Sequence, residues 1–177
     1  MALDFKKASK DLLLDLINTK ATRTLLKEEL QFGTPTTTSD NGKNTVIQLD
    51  AAPDAANLQG TQQFYYDRLD LTEVFKDVQA QLTMAASGDT VSSADVVAQV
   101  AALTGLGISS EDIVVEELDV SGKPATVTLT AAAAGLVYTG TLQVNMQYVQ
   151  VEKDKLEEVL AANVADGFTK PEVAIGG

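Results

Sequence analysis

The chain has 177 residues, with 13 Lys plus Arg against 25 Asp plus Glu for a formal charge of −12, and it contains no Cys, His or Trp. Those absences exclude disulfide frameworks, thiolate and imidazole metal sites, Cys or Ser/His/Asp nucleophilic triads and ordinary His acid/base chemistry. The hydrophobic fraction is 45% but only 5% is aromatic, so the expected core is built from Ala, Val and Leu in one compact unit of two halves, residues 1–177.

In chain order, the first signal is an amphipathic helix over about residues 3–20. Leu3, Phe5, Leu12, Leu13, Leu16 and Ile17 share one face, and Lys6, Lys7, Lys10 and Asp11 share another. Residues four apart on its charged face, Lys7 with Asp11 and Asp11 with Asp15, are expected to interact in a solvated stripe. Thr24 is placed as the cap of a second turn containing Lys27, Glu28 and Glu29, and Gln31 to Gly33 leave it extended. Residues 34–44, TPTTTSDNGKN, read as a polar loop with turn chemistry at Asp40, Asn41 and Gly42. Residues 45–51 and 61–71 alternate in character and form the expected antiparallel hairpin, with one of Tyr65 and Tyr66 inward and the other exposed.

Thr72 is placed as the N-cap of a helix carrying Val74, Phe75, Val78 and Leu82, which SGDTVSS (87–93) ends. Ser92 or Ser93 caps a further helix with Val96, Val97, Val100 and Leu103 on one face, and Gly105 and Gly107 end it. Residues 113–120 are expected to be extended, and Gly122 and Pro124 turn the chain into a second hairpin. A charged helix over about 152–162 buries Leu156, Val159 and Leu160. Beyond Gly167 the chain reads as extended.

Residues 45–71 match residues 126–151 with one residue deleted in the turn. Thr45-Val46 and Thr126-Val127 precede Leu49 and Leu129, an Ala-rich corner follows, and Gly60-Thr61 and Gly140-Thr141 open the return strands. Upstream, Leu13, Leu14, Ile17, Leu25, Glu28, Glu29 and Leu30 lie 83 residues before Val96, Val97, Val100, Ile108, Glu111, Asp112 and Ile113. The pattern predicts an α+β fold: two duplicated helix–strand–hairpin units, about 11–71 and 94–151, building an antiparallel sheet with the helices on one side, and a C-terminal helix and tail over 152–177. The units either share one sheet by pseudo-twofold symmetry or pair each hairpin with a neighbouring subunit.

Candidate chemistry is sparse. The carboxylate pairs Glu28-Glu29, Glu111-Asp112, Glu116-Glu117 and Glu157-Glu158 are adjacent in sequence, and adjacent helical residues do not face each other as a hydrolytic dyad must. Residues 39–44 lack the spacing and closing Glu of a calcium loop, and no Gly-rich loop lies between a strand and a helix to cradle phosphate. No catalytic residue, metal or cofactor is expected. Lys6, Lys7, Lys10, Lys20, Arg23 and Lys27 against Asp4, Asp11 and Asp15 give residues 1–27 a charge of +3 and leave −15 on the remainder, so a basic leading helix faces an acidic body. That balance argues against nucleic acid as a partner. No apolar run approaches the ~20 residues that span a bilayer, and the N-terminus has no signal-peptide apolar region, so no membrane partner is expected.

The stretches LLLDLINTKATRTLLKEELQFGTP, NTVIQLDA, QFYYDRLDL, ALTGLGISSEDIVVEEL and VTLTAAAAGLVYTGTLQV resemble a family of small virion structural proteins of tailed, myovirus-type bacteriophages. The shared features are a helix ending at Ile17-Asn18, the step Arg68 to Leu71 and the step Val137 to Gly140; Ala101 stands in the second copy where Asn18 stands in the first. The resemblance implies a non-enzymatic, repeating particle component, assembled in the host bacterial cytoplasm and located in the virion, whose partners are copies of itself and other virion proteins, either major capsid or neck and tail proteins. The favoured position is capsid decoration or cementing. The alternatives are a neck, collar or tail-associated ring and, from another class, a carbohydrate-binding adhesin module using Tyr65 or Tyr66. The residues expected at partner contacts are Leu3, Phe5, Lys6, Lys7 and Lys10 at one end, Phe168, Pro171, Val173 and Ile175 at the other, and Arg68 facing a carboxylate across a subunit boundary. Removing the first ten residues is expected to abolish attachment without unfolding the body.

Overall fold

A computed structural model describes residues 3–122 and 124–148. The helix expected over 152–162 and the contact residues Phe168, Pro171, Val173 and Ile175 lie outside them. The fold is mixed α+β, with antiparallel hairpins and few helices. No helix of the described residues is long and apolar enough to cross a membrane.

The first helix, α1, runs over Ser9–Asn18, shorter than its periodicity suggests. Residues 3–8 leave the helical path because the body claims their backbone. The Gly107 N–H donates to the Phe5 carbonyl at 2.8 Å, and a Cβ on Gly107 would overlap the Lys7 carbonyl. The Ser9 hydroxyl donates to the buried Asp112 carboxylate. Of the α1 carboxylates, Asp15 pairs with Lys7 from the segment before the helix at 2.6 Å and Asp11 with Lys27 at 2.6 Å, in place of the expected pairs four residues apart. Asp11 and Asp15 are both acidic, and each takes a cation instead.

A single 3-10 turn at Lys27–Glu29 leads into β1 (Leu30–Phe32). Leu26, not Thr24, occupies the N-cap, and its N–H donates to the Glu29 carboxylate at 2.9 Å. The polar loop contains a short strand, β2 (Thr36–Thr37), and the expected turn at Asp40–Gly42, where Asn41 adopts φ 56° and Gly42 φ 66°. β3 (Thr45–Ala51) and β4 (Thr61–Tyr66) form the first hairpin, antiparallel with Asp50 opposite Thr61. β1 and β2 pair with the other edge of β3.

β5 (Leu69–Asp70) and a one-turn helix, α2 (Leu71–Val74), follow. The helix expected to run from Thr72 through Leu82 is thus interrupted. Asp70 takes the N-cap and accepts from the Thr72 N–H, while Leu82 and the residues after it are drawn into a sheet as β6 (Thr83–Ala86), which runs parallel to a later strand. β7 (Thr90–Ser92) precedes α3 (Ser93–Thr104), capped by the Ser92 hydroxyl and ended by Gly105 in the left-handed region, as the sequence predicts. A 3-10 turn at Ser110–Asp112 and β8 (Glu117–Asp119), paired with β7, lead to the second hairpin. That hairpin is β9 (Ala125–Thr130) with β11 (Thr141–Tyr148), and β10 (Tyr138–Thr139) lies in the corner between them.

The two hairpins stand in separate sheets rather than one, and two pairings are parallel where only antiparallel ones were expected. β6 lies on β11, and β5 lies on β10 with Leu69 opposite Tyr138. The core divides accordingly. Leu13, Ile17, Ile47, Leu49 and Tyr66 form a small cluster under the first hairpin. A larger one gathers Leu71, Phe75, Leu82, Met84, the valines of α3 and the inward residues of β9 and β11. α1 feeds both, Leu12 into the larger and Leu13 into the smaller. At ~1.5–3 kcal/mol for each fully buried aliphatic side chain, the larger cluster dominates the stability.

Candidate functional site

Two adjoining grooves lie between α1 and β4. One, of about 300 Å³, is lined chiefly by Leu3, Phe5, Leu12, Leu16, Phe64 and Tyr65. The other, of about 350 Å³, is lined by Ile17, Leu25, Leu30, Leu58, Gln62 and Phe64 among others. Lys20 and Phe64 border both. The walls are apolar because α1 turns leucines toward β4, and because Phe64, stacked on Tyr66 with ring centroids 5.9 Å apart, is only half-buried. Lys20, Lys43 and Asp67 also line the first groove, the last two paired at 2.7 Å, and its apolar remainder offers contact area of the kind that takes a chain segment or a protein.

Of the residues expected at partner contacts, Leu3 and Phe5 are brought into this groove. Phe5 remains 38% exposed, while Leu3 packs against the larger core cluster. Lys7 is held by Asp15, which raises its pKa through their hydrogen bond. Lys10 sits 5.4 Å over the Phe32 ring, a cation–π contact within its own subunit. Lys6 is exposed, and its backbone N–H donates to the Asp4 carboxylate at 3.2 Å. The leading segment is therefore fastened to the body through Gly107, Asp112 and Leu3. The expected separation between a detachable docking arm and an independent body does not fit this arrangement.

Arg68 is placed differently from expectation. It faces backbone and hydroxyl oxygens rather than a carboxylate. Its guanidinium donates to the Ala133 and Gly135 carbonyls at 3.2 and 3.1 Å and to the Thr45 hydroxyl at 3.1 Å, which ties the first hairpin to the corner of the second. Its main chain is clamped as well, since Asn44 accepts from the Arg68 N–H at 2.8 Å and donates to its carbonyl at 3.0 Å. Asp67 beside it holds Lys43 at 2.7 Å and the Asn44 N–H at 3.0 Å. Those contacts, the lysine first, lower the Asp67 pKa.

Tyr66 is buried, as one of the pair was expected to be, but Tyr65 is half-buried rather than exposed. The Tyr66 hydroxyl donates to the Leu136 carbonyl at 2.7 Å, and burial pushes its pKa up to about 12. Tyr66 is thus closed to a sugar ligand. The Tyr65 hydroxyl donates to Gln63 at 2.8 Å. Asn18 bonds both backbone groups of Leu25, at 3.0 and 2.7 Å, a structural role that Ala101 has no atoms to repeat. Among the described residues no group of three or more acidic side chains is arranged to hold a metal ion.

The flank of β4 that is open among the described residues was not expected from the sequence. Its one visible trace was Gln62 and Phe64 standing where the second hairpin has Leu142 and Val144.

The fold is that of a mixed α+β protein with a largely apolar groove between α1 and β4. The chain belongs to a family of unknown function, DUF7941, whose model matches residues 2–176. No curated protein and no solved structure matches it.

Proposed function

We propose that this chain is a non-enzymatic structural component of a tailed-bacteriophage virion that works by protein–protein contact, with capsid decoration or cementing as its position. The observation that carries the reading is the largely apolar groove between α1 and β4, which offers docking area beside a sheet edge that is open among the described residues. The resemblance around Ile17-Asn18, Arg68 to Leu71 and Val137 to Gly140 supplies the class of particle. Its partners are then copies of itself and a capsid protein, and its location is the virion, assembled in the host cytoplasm. A neck or tail ring is the second reading, because an open strand edge filled by another subunit generates closed rings when the rotation closes.

We also infer that the chain is two copies of one helix–corner–hairpin unit. Support comes from hydrogen bonds that recur at equivalent positions. Leu26 N–H to Glu29 and Ser109 N–H to Asp112 are both 2.9 Å. Ala52 N–H to the Glu29 carbonyl is 2.8 Å, and Ala132 N–H to the Asp112 carbonyl is 2.9 Å. Ala51 to Gly60 and Ala131 to Gly140 are 2.9 and 3.0 Å, and Leu30 pairs with Ala51 as Ile113 pairs with Ala131.

Gold-labelled antibody to this chain, imaged on purified phage particles by electron microscopy, tests the functional reading. Label over the head supports decoration and label at the neck or tail supports a ring. Unlabelled particles, with the chain abundant in the lysate, would overturn both.

A further inference from the structure

Among the described residues, Asn41 alone combines a side chain with a positive φ, at φ 56° and ψ 18°, and Gly42 follows at φ 66°. The pair forms the centre of a tight turn of the I′ kind, closed by the Lys43 N–H donating to the Asp40 carbonyl at 3.0 Å. Both residues are exposed, and a Cβ on Gly42 would meet nothing within 4 Å. Of the asparagines, only Asn41 precedes a glycine. Asn18, Asn44 and Asn145 precede Thr19, Thr45 and Met146, and their carboxamides are held by Leu25, Arg68 and Thr126. Asn57 and Asn163 precede the branched residues Leu58 and Val164.

We propose that Asn41 and Gly42 form a self-modifying site. The Gly42 main-chain nitrogen, its proton taken by base, attacks Cγ of Asn41. A C–N bond forms there, the bond from Cγ to the amide nitrogen breaks, and that nitrogen leaves as ammonia with the proton returned to it. Water then opens the five-membered succinimide. Opening at Cγ gives aspartate; opening at the Asn41 main-chain carbonyl gives isoaspartate. Glycine suits the attack because it places no Cβ beside the nitrogen. At ψ 18° the Asn41 Cβ and the Gly42 nitrogen stand on opposite sides of the Cα–C bond. The folded turn thus holds the reacting atoms apart, and conversion waits on rotation of the Asn41–Gly42 peptide.

Isoaspartate carries the main chain through its own Cβ and Cγ, so the turn gains a methylene. The pairing of β2 with β3 is set across this turn, with Thr36 opposite Val46, Thr37 opposite Thr45 and the Thr38 N–H donating to the Asn44 carbonyl at 3.1 Å. A lengthened turn does not keep that register, and β2 has only two residues to resist the change. Lys43 and Asn44, next along the chain, hold Asp67 and Arg68, and Lys43 and Asp67 line the first groove. Conversion therefore adds a negative charge to a chain that carries −12 and loosens one rim of the groove as the protein ages. None of this depends on what the groove receives.

The test is incubation of the full chain in mildly alkaline, heavy-oxygen water, followed by digestion and mass spectrometry. Solvent oxygen should enter the peptide containing residue 41 before any other asparagine peptide, as both aspartate and isoaspartate, and faster in urea than in the folded chain. Asn41→Gly, which keeps a sequence suited to the I′ turn, should take up no label over the same interval. An Asn41 peptide that stays unlabelled in the folded chain after the urea-treated chain has converted, or another asparagine converting first, overturns the proposal. Equal rates with and without urea contradict the held-apart geometry. Anion exchange separates the converted chains by their added charge. In the isoaspartyl fraction the Thr38 amide should lose its protection from hydrogen exchange, whereas Asn41→Asp, with the charge but not the methylene, keeps it. Unchanged Thr38 protection in the isoaspartyl fraction would sink the coupling to β2.

Discussion

Arg68 joins the two hairpins with one side chain, donating to Thr45, Ala133 and Gly135. Arg68→Ala strands those acceptors and should lower the unfolding free energy by about 1–3 kcal/mol in urea titration. Arg68→Lys should recover little, because a point charge cannot serve three acceptors spread around a planar fork. Gly107 is required by contact rather than by conformation, since any Cβ there meets the Lys7 and Lys6 carbonyls. Gly107→Ala should cost about 1–3 kcal/mol and loosen residues 3–8; an unchanged unfolding midpoint would refute the close approach. Neither role was legible in the sequence. An arginine among many carboxylates points to a carboxylate, and a glycine after a helix points to a cap. Both residues act on main-chain atoms far away in sequence, which no local pattern encodes.

Tyr66 and Tyr138 are buried, and burial raises both phenols to about 12. The unfolded chain ionises them near 10. Stability from these groups is therefore complete below pH 10 and declines as pH rises toward 12. Tyrosinate absorbance followed alongside unfolding should show them ionising late and together with loss of structure; early titration without unfolding would contradict their burial.

At the scale of elements, α3 and the two hairpins were readable because their signals are local. Ser92 and Gly105 bracket a helix of valines, and Gly60-Thr61 and Gly140-Thr141 open return strands whose alternation fixes the inward face. Residues 71–86 were misread for the opposite reason. Val74, Phe75, Val78 and Leu82 carry helical spacing, yet the chain breaks after one turn, because Leu82, Met84 and Ala86 gain more by covering β11 than a solitary helix would gain from propensity. Parallel pairing joins residues far apart in sequence and leaves no two-residue turn to announce it. Met84→Ala, which empties a site 4% exposed between β11 and the core, should cost about 2–5 kcal/mol. A cost near zero would show that β6 is not part of the packed sheet.

For the whole molecule, charge sets the response to acid. Hydrogen bonds hold four carboxyls below their ordinary range: Glu29 through Arg23, Asp50 through Thr61, Asp67 through Lys43 and Asp119 through the Ser121 N–H. Their contribution is present above the ordinary carboxylate range, near 4, and is lost as pH falls through their depressed values. Asp67 and Asp119 are exposed, whereas Asp50 is half-buried and the Glu29 side chain is only 13% exposed, so added salt should weaken the contribution of the first two more than that of the others. The groove between α1 and β4 gives that acidic body an apolar contact face, and a particle surface is the partner proposed for it. Quantitative mass spectrometry of gradient-purified phage particles, normalised to the major capsid protein, tests that claim most directly. The account predicts a fixed copy number per particle that survives repeated purification; particles free of the chain would contradict it.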